Sequence, residues 1–271
     1  MKLAPIVLSA ILALASNSIS AQNFQGIATY QTAGSVKMEF DSKKMPPEQQ
    51  ERIKSMMSKA MQKEFELFFD KSASVFKEVE SLEKGGHGRM AMMGSMNGLG
   101  GVFFKNVQNQ SEIRESEFFG KPFLIKDSLT GFDWKLGKET KQIGNYTCYK
   151  ATYEREGKIR SFSMGGEGEQ DSTITVVVTA WYTPQIPVSQ GPDKYWGLPG
   201  LIMEITDGQT VMLCTKVVLN PTEKVAIVEP EKGEEVTRAE FKEIMEKKMA
   251  EMREMYGGQG RGGGMKIMIQ D

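Results

Sequence analysis

The residues best suited to chemistry here are one histidine and many methionines. His87 is the only histidine, and the run RMAMMGSM that follows places Met90, Met92, Met93 and Met96 close behind it. Thioether sulfur is a soft ligand for Cu(I), and imidazole also suits copper. A second set, Met245, Met249, Met252 and Met255, recurs at steps of three and four, so a helix would align the four sulfurs along one side. The chain holds 19 methionines in 271 residues. The same spacing also serves an apolar core or an adaptable binding surface, because unbranched thioethers fill irregular gaps. Oxidant scavenging is a third use.

Cys148 and Cys214 are the only cysteines. Both lie in strand-like sequence, and an even count in an exported chain points to a disulfide. A bridge closing so long a loop would contribute about 4 kcal/mol. The alternative is two reduced thiols buried as small apolar groups.

Other catalytic signatures are missing. The chain has no G-x-S-x-G, no P-loop and no H-E-x-x-H, GSMNG at 94–98 carries its serine at the wrong position for a nucleophile elbow, and LGGVFF lacks dinucleotide spacing. The expectation is a non-enzymatic protein without a cofactor, a carboxylate-based enzyme being the catalytic alternative. Lys and Arg total 34 against 35 acidic residues, which gives no electrostatic case for nucleic acid.

These residues have to be positioned by the elements around them. Lys2, the uncharged stretch from Leu3 to Ala15 and the polar SNSISA form the three-part pattern of a secretory signal, expected over 1–21. Its apolar part falls short of the roughly 20 residues needed to span a bilayer, and no later segment approaches that length. Residues 22–256 are expected as one β-rich domain carrying a mobile Gly/Met-rich loop near 85–101, and 257–271 as a flexible glycine-rich tail. In TITVVVTAWY, Ile174, Val176, Val178, Ala180 and Tyr182 alternate onto one side, the mark of a half-buried strand. Similar runs occur at 26–40, 66–79, 102–107, 112–126, 146–155 and 201–219, with turns at 70–73 and Asp207-Gly208. Two segments have helical period: one after Pro46-Pro47 with Ile53, Met56, Met57, Ala60 and Met61, and one from Thr237, an N-cap with Glu240 three residues on. The pattern predicts a strongly curved antiparallel sheet or half-barrel with two amphipathic helices over its concave side.

One string interrupts an apolar run with glycine and proline: Trp196, Gly197, Leu198, Pro199, Gly200, Leu201, Ile202. None of its glycine or proline side chains can act as acid, base, nucleophile or ligand, so a shaping role is expected. Leu198-Pro199-Gly200 suits a type II turn that sets the register of the next strand, with Leu201, Met203 and Ile205 on one face.

With IGNYTCYKA at 143–151 and AWYTPQIPVSQGPDKYWGLPGLIMEI at 180–205, this string resembles the GLPGLI family of exported Bacteroidetes-type proteins. The resemblance covers roughly residues 130–220. It implies an envelope protein with no established activity and a β-rich bowl similar, by fold-level analogy, to lipoprotein carriers. The functional expectation is a binding or accessory protein, periplasmic or outer-membrane-associated, that holds an apolar small molecule or an envelope protein segment against Met245, Met249, Met252 and Met255. The alternative is periplasmic Cu(I)/Ag(I) binding through His87 and the methionine clusters.

Overall fold

The computed structural model describes residues 24–34, 37–40, 46–79, 101–163, 170–223, 225–256 and 265–270. The expected signal at 1–21, His87, Met90, Met92, Met93 and Met96 lie outside the described residues.

In chain order the elements are β1 Gln25–Gly34, β2 Lys37–Phe40, α1 Pro47–Ala60, β3 Glu64–Asp70, β4 Ala73–Glu78, β5 Val102–Asn106, β6 Ser111–Phe118, β7 Lys121–Ser128 and β8 Lys135–Ile143. They continue with β9 Tyr146–Ser163, β10 Gln170–Thr183, β11 Leu201–Thr206, β12 Thr210–Leu219, β13 Glu234–Val236, α2 Arg238–Tyr256 and β14 Met265–Gln270. All strands join one sheet, ordered β13-β7-β6-β5-β4-β3-β1-β12-β11-β10-β9-β14-β2, with β8 paired to β9. Every pairing is antiparallel except β13 with β7.

The sheet is curved, as one residue demonstrates. The Tyr195 carbonyl accepts a hydrogen bond from Lys105 on β5, while its ring and that of Tyr153 on β9 pack against the same Phe132 ring. Seven strand steps separate β5 from β9, about 34 Å at 4.8 Å per step. Only a curled sheet brings both strands so close to one residue. Inside the curl, Tyr30, Phe65, Phe103, Val178, Ile186, Leu198 and Leu201 belong to one buried core.

Both helices form where the periodicity places them. Thr237 and Glu240 close the capping box: the Glu240 carboxylate accepts from the Thr237 backbone N–H at 2.7 Å, and the Thr237 hydroxyl accepts from the Glu240 N–H at 3.2 Å. Their expected place over the concave side is corrected. The first half of α2 packs through Phe241, Ile244 and Met245 against Phe118, Phe123 and Ile125 at the β7 end of the sheet, and α1 is largely exposed, Met56 included. The inside of the curl is occupied by Ile186, Val188, Tyr195 and Leu198 of the 184–200 segment, so α2 covers a separate apolar cluster outside it.

Three strands, β8, β13 and β14, lie where no strand was expected. β8 is exposed along almost its whole length, so it has no apolar alternation and is held by its ladder to β9. The flexible tail expected over 257–271 is corrected at Met265–Gln270, where β14 pairs with β9 and β2, for example Ile267 opposite both Phe162 and Met38. Alternation of Met265, Ile267 and Ile269 suits a strand with hydrogen-bonded neighbours on both sides.

Candidate functional site

The WGLPGLI string is the end of a long connection, residues 184–200, between β10 and β11. Apolar residues spaced along it, Ile186, Val188, Tyr195 and Leu198, point into the core. Backbone bonds then fold it against its own exit: Leu201 N–H donates to Ile186 C=O at 3.0 Å, and Ile202 N–H to Gln190 C=O at 3.0 Å. Gln190 is fully buried, and its side-chain oxygen accepts from the Ser74 hydroxyl at 2.9 Å.

Opposite this loop runs a polar row across the sheet. Ser74 on β4 pairs with Lys105 on β5, Lys105 with Glu112 on β6, and Glu112 with Asp127 on β7. Lys105 is fully buried. Its ammonium donates to the carbonyls of Gly191 at 2.6 Å, Asp193 at 2.6 Å and Tyr195 at 2.9 Å. Three N–H groups meet three acceptors, so the charge is fully hydrogen-bonded, as a buried ammonium requires. Burial pulls its pKa down to about 7, against the Asp193 and Glu112 carboxylates that favour the proton. Asp193 sits in left-handed backbone at φ 47° and accepts from Arg114 at 2.7 Å. Burial pushes its carboxyl up, but the charge and hydrogen bond of Arg114 outweigh this and hold it below the usual range. The Arg114 guanidinium lies 4.2 Å from the Phe103 ring centre. Glu112 in turn accepts from Arg238, the first residue of α2.

A lysine with a pKa near neutrality is often a catalytic base or nucleophile. Here the nitrogen faces three backbone carbonyls and has no exposed surface, so its work is fastening. Sequence reading missed Lys105, and the only signal was a lysine on the same alternating side of VFFKN as Phe103.

The string itself forms a tighter turn than the type II expected. Gly200 N–H donates to Leu198 C=O at 2.8 Å, closing a three-residue turn about Pro199, whose ring presets the required φ. Glycine is needed at 200 because of close approach: a Cβ there would lie 2.2 Å from the Thr183 carbonyl oxygen. Two indoles clasp the turn, Trp134 donating to the Trp196 carbonyl at 2.9 Å and Trp196 to the Thr130 carbonyl at 2.8 Å. The expected facing is also corrected. The ladder pairs Ile205 with Ala180 and Ile202 with Tyr182, with an irregularity between Trp181 and Tyr182. That bulge puts Ile202 and Ile205 on the same face.

The remaining candidates are dispersed. Cys148 on β9 and Cys214 on β12 are buried in the same core with free thiols, which corrects the expected disulfide. They stand three strand steps apart in the sheet order, with β10 and β11 between them. Each thiol faces a backbone carbonyl instead, Tyr146 at 3.7 Å and Lys216 at 3.4 Å. Burial pushes Cys148 up to about 11 and Cys214 to about 12, so both stay protonated and unreactive. On α2, Met245 packs into the β7 cluster, Met249 and Met252 are half-buried, and Met255 is 67% exposed. Among the described residues no three His, Cys, Asp or Glu side chains converge as a metal site, and no helix is long and apolar enough to cross a membrane.

A family model described as a protein of unknown function (Porph_ging) matches residues 134–204, the stretch from the first clasping tryptophan through the turn to β11. Comparison with curated proteins finds no match. Two solved structures of PNGF-II, in the C2 and P21 space groups, are similar to this chain at 14% and 15% identity, with TM-scores of 0.49 and 0.48. They cover 83% and 82% of this chain, which spans about a third (33%) of theirs.

Proposed function

We propose that this chain is a non-catalytic binding or accessory protein of the GLPGLI type, exported to the cell envelope, that seats an apolar segment of a partner protein on the methionine stripe of α2. The observation that carries this reading is the half-used stripe. Phe241, Ile244 and Met245 are packed against the sheet, whereas Met255, on the same side of the helix, is 67% exposed. Flexible thioethers conform to varied apolar partners at low cost, so such a stripe suits binding. A protein segment is favoured over a small apolar ligand because the inside of the sheet, where a ligand would be enclosed, is occupied by Ile186, Val188 and Leu198. The titratable groups around that loop are engaged in holding it, which supports a binding role over a carboxylate-based enzyme.

The test is site-specific photocrosslinking in the native envelope from position 252 or 255. A single crosslinked protein, lost when the other two of Met249, Met252 and Met255 are replaced by Gln, is the expected result. Crosslinks only to lipid or only within the chain would overturn the reading. Signal removal and envelope localisation are checked by N-terminal sequencing of protein from fractionated cells.

A further inference from the structure

We infer that α2 and the WGLPGLI loop are coupled, so that drawing α2 off the β7 end of the sheet releases residues 184–200 from their seat. The inference rests on the reading of α2 as the partner surface, because it assigns partner binding an effect inside the protein.

Arg238 opens α2; its backbone and charge face the Asp127 carboxylate, and its side chain makes two hydrogen bonds. One guanidinium nitrogen donates to Glu112 and the other to the Thr130 hydroxyl at 3.4 Å. The first leads to Glu112, whose side chain is 10% exposed, and which stands directly opposite Lys105 in the β5–β6 ladder. Lys105 holds the carbonyls of Gly191, Asp193 and Tyr195. The second leads to Thr130, whose carbonyl receives the Trp196 indole. One side chain at the root of α2 thus reaches the groups that hold Gly191, Asp193, Tyr195 and Trp196. With Arg238 gone, Glu112 loses its partner on α2, and Lys105 stands directly opposite it in the row. The ammonium is then drawn toward the carboxylate and away from the carbonyls, and the Thr130 strut loses its tie. The loop is seated on Lys105, and in this inference it is released when that seat is lost, the kind of change through which two sites couple.

Hydrogen exchange read by mass spectrometry on the partner-free mature chain tests this. Two variants act from the α2 side: Arg238→Ala, at a half-exposed position, and Phe241→Ala, which removes the ring packed edge-on to Phe118 and Phe123. Peptides spanning 186–202 should exchange about tenfold faster in both, the scale of a typical coupling energy, while β1 and β12 peptides keep wild-type rates. Faster exchange in α2 with the loop unchanged would overturn the coupling, as would equal acceleration of β1 and β12, which signals general loosening. No partner is present in this measurement. Failed crosslinking therefore removes the partner reading and leaves the coupling, and an unchanged loop does the reverse.

Discussion

The Lys105 ammonium nitrogen stands 2.6 Å from the carbonyl oxygen of Gly191, a residue 86 positions later in the chain. With the Asp193 and Tyr195 carbonyls it forms a three-point seat for the loop that fills the curled sheet. Lys105→Met keeps most of the side-chain volume and leaves three carbonyls without their donor, at a cost of about 3 kcal/mol. Trypsin reports the local effect, because Lys194 is exposed while Tyr195 beside it is buried. The variant should be cut after Lys194 under native conditions that leave the wild type intact. Equal resistance in both would show that the seat does not depend on the lysine.

Asp193 gives the acid limb of the stability curve. Its carboxyl is held below the usual range by Arg114, so the unfolded chain takes up this proton at higher pH than the folded one. The stabilisation is complete above the unfolded pKa of about 3.9 and is lost as pH falls through the folded value. Asp193→Asn keeps a residue that tolerates left-handed backbone and removes the charge. It should lower stability at neutral pH by about 3 kcal/mol and flatten the loss below about pH 4, measured by urea unfolding across pH. An unchanged acid slope would mean that other carboxylates set it.

At Gly200 any side chain meets the Thr183 carbonyl. Gly200→Val must separate the turn from the end of β10, and about 3 kcal/mol of destabilisation is expected in urea unfolding of the mature chain. Stability left intact together with loss of the crosslinked partner would make the turn a recognition element instead of a shaping one.

The two thiols should behave as buried and unbridged. In native protein at neutral pH neither Cys148 nor Cys214 should react with an alkylating reagent over hours, and two thiols per chain should react after unfolding without reductant. Fewer than two in the unfolded chain would show a disulfide.

Local order explains why much of the architecture was legible before the structure. The α2 start was readable because a capping box is closed by residues three apart, Thr237 and Glu240. The β3–β4 hairpin was readable because Asp70 turns the chain itself, accepting from the backbone of Ser72 and Ala73 at 2.7 Å each. The methionine stripe of α2 likewise follows from helical period alone. β8 was invisible because a strand exposed along most of its length carries no apolar alternation.

The sequence by itself determined the curved-sheet class and both helices. Each depends on residues within a few positions of one another, where backbone preference and apolar period decide. Only the tertiary structure decided which strands meet, that β5 and β9 converge on Tyr195, that Lys105 binds a loop far along the chain, that the two cysteines stand three strand steps apart, and that the helices lie outside the curl. Those outcomes depend on strand order and sheet curvature. Both arise when distant segments compete to satisfy the same buried hydrogen-bonding groups, a competition that no local window of sequence contains.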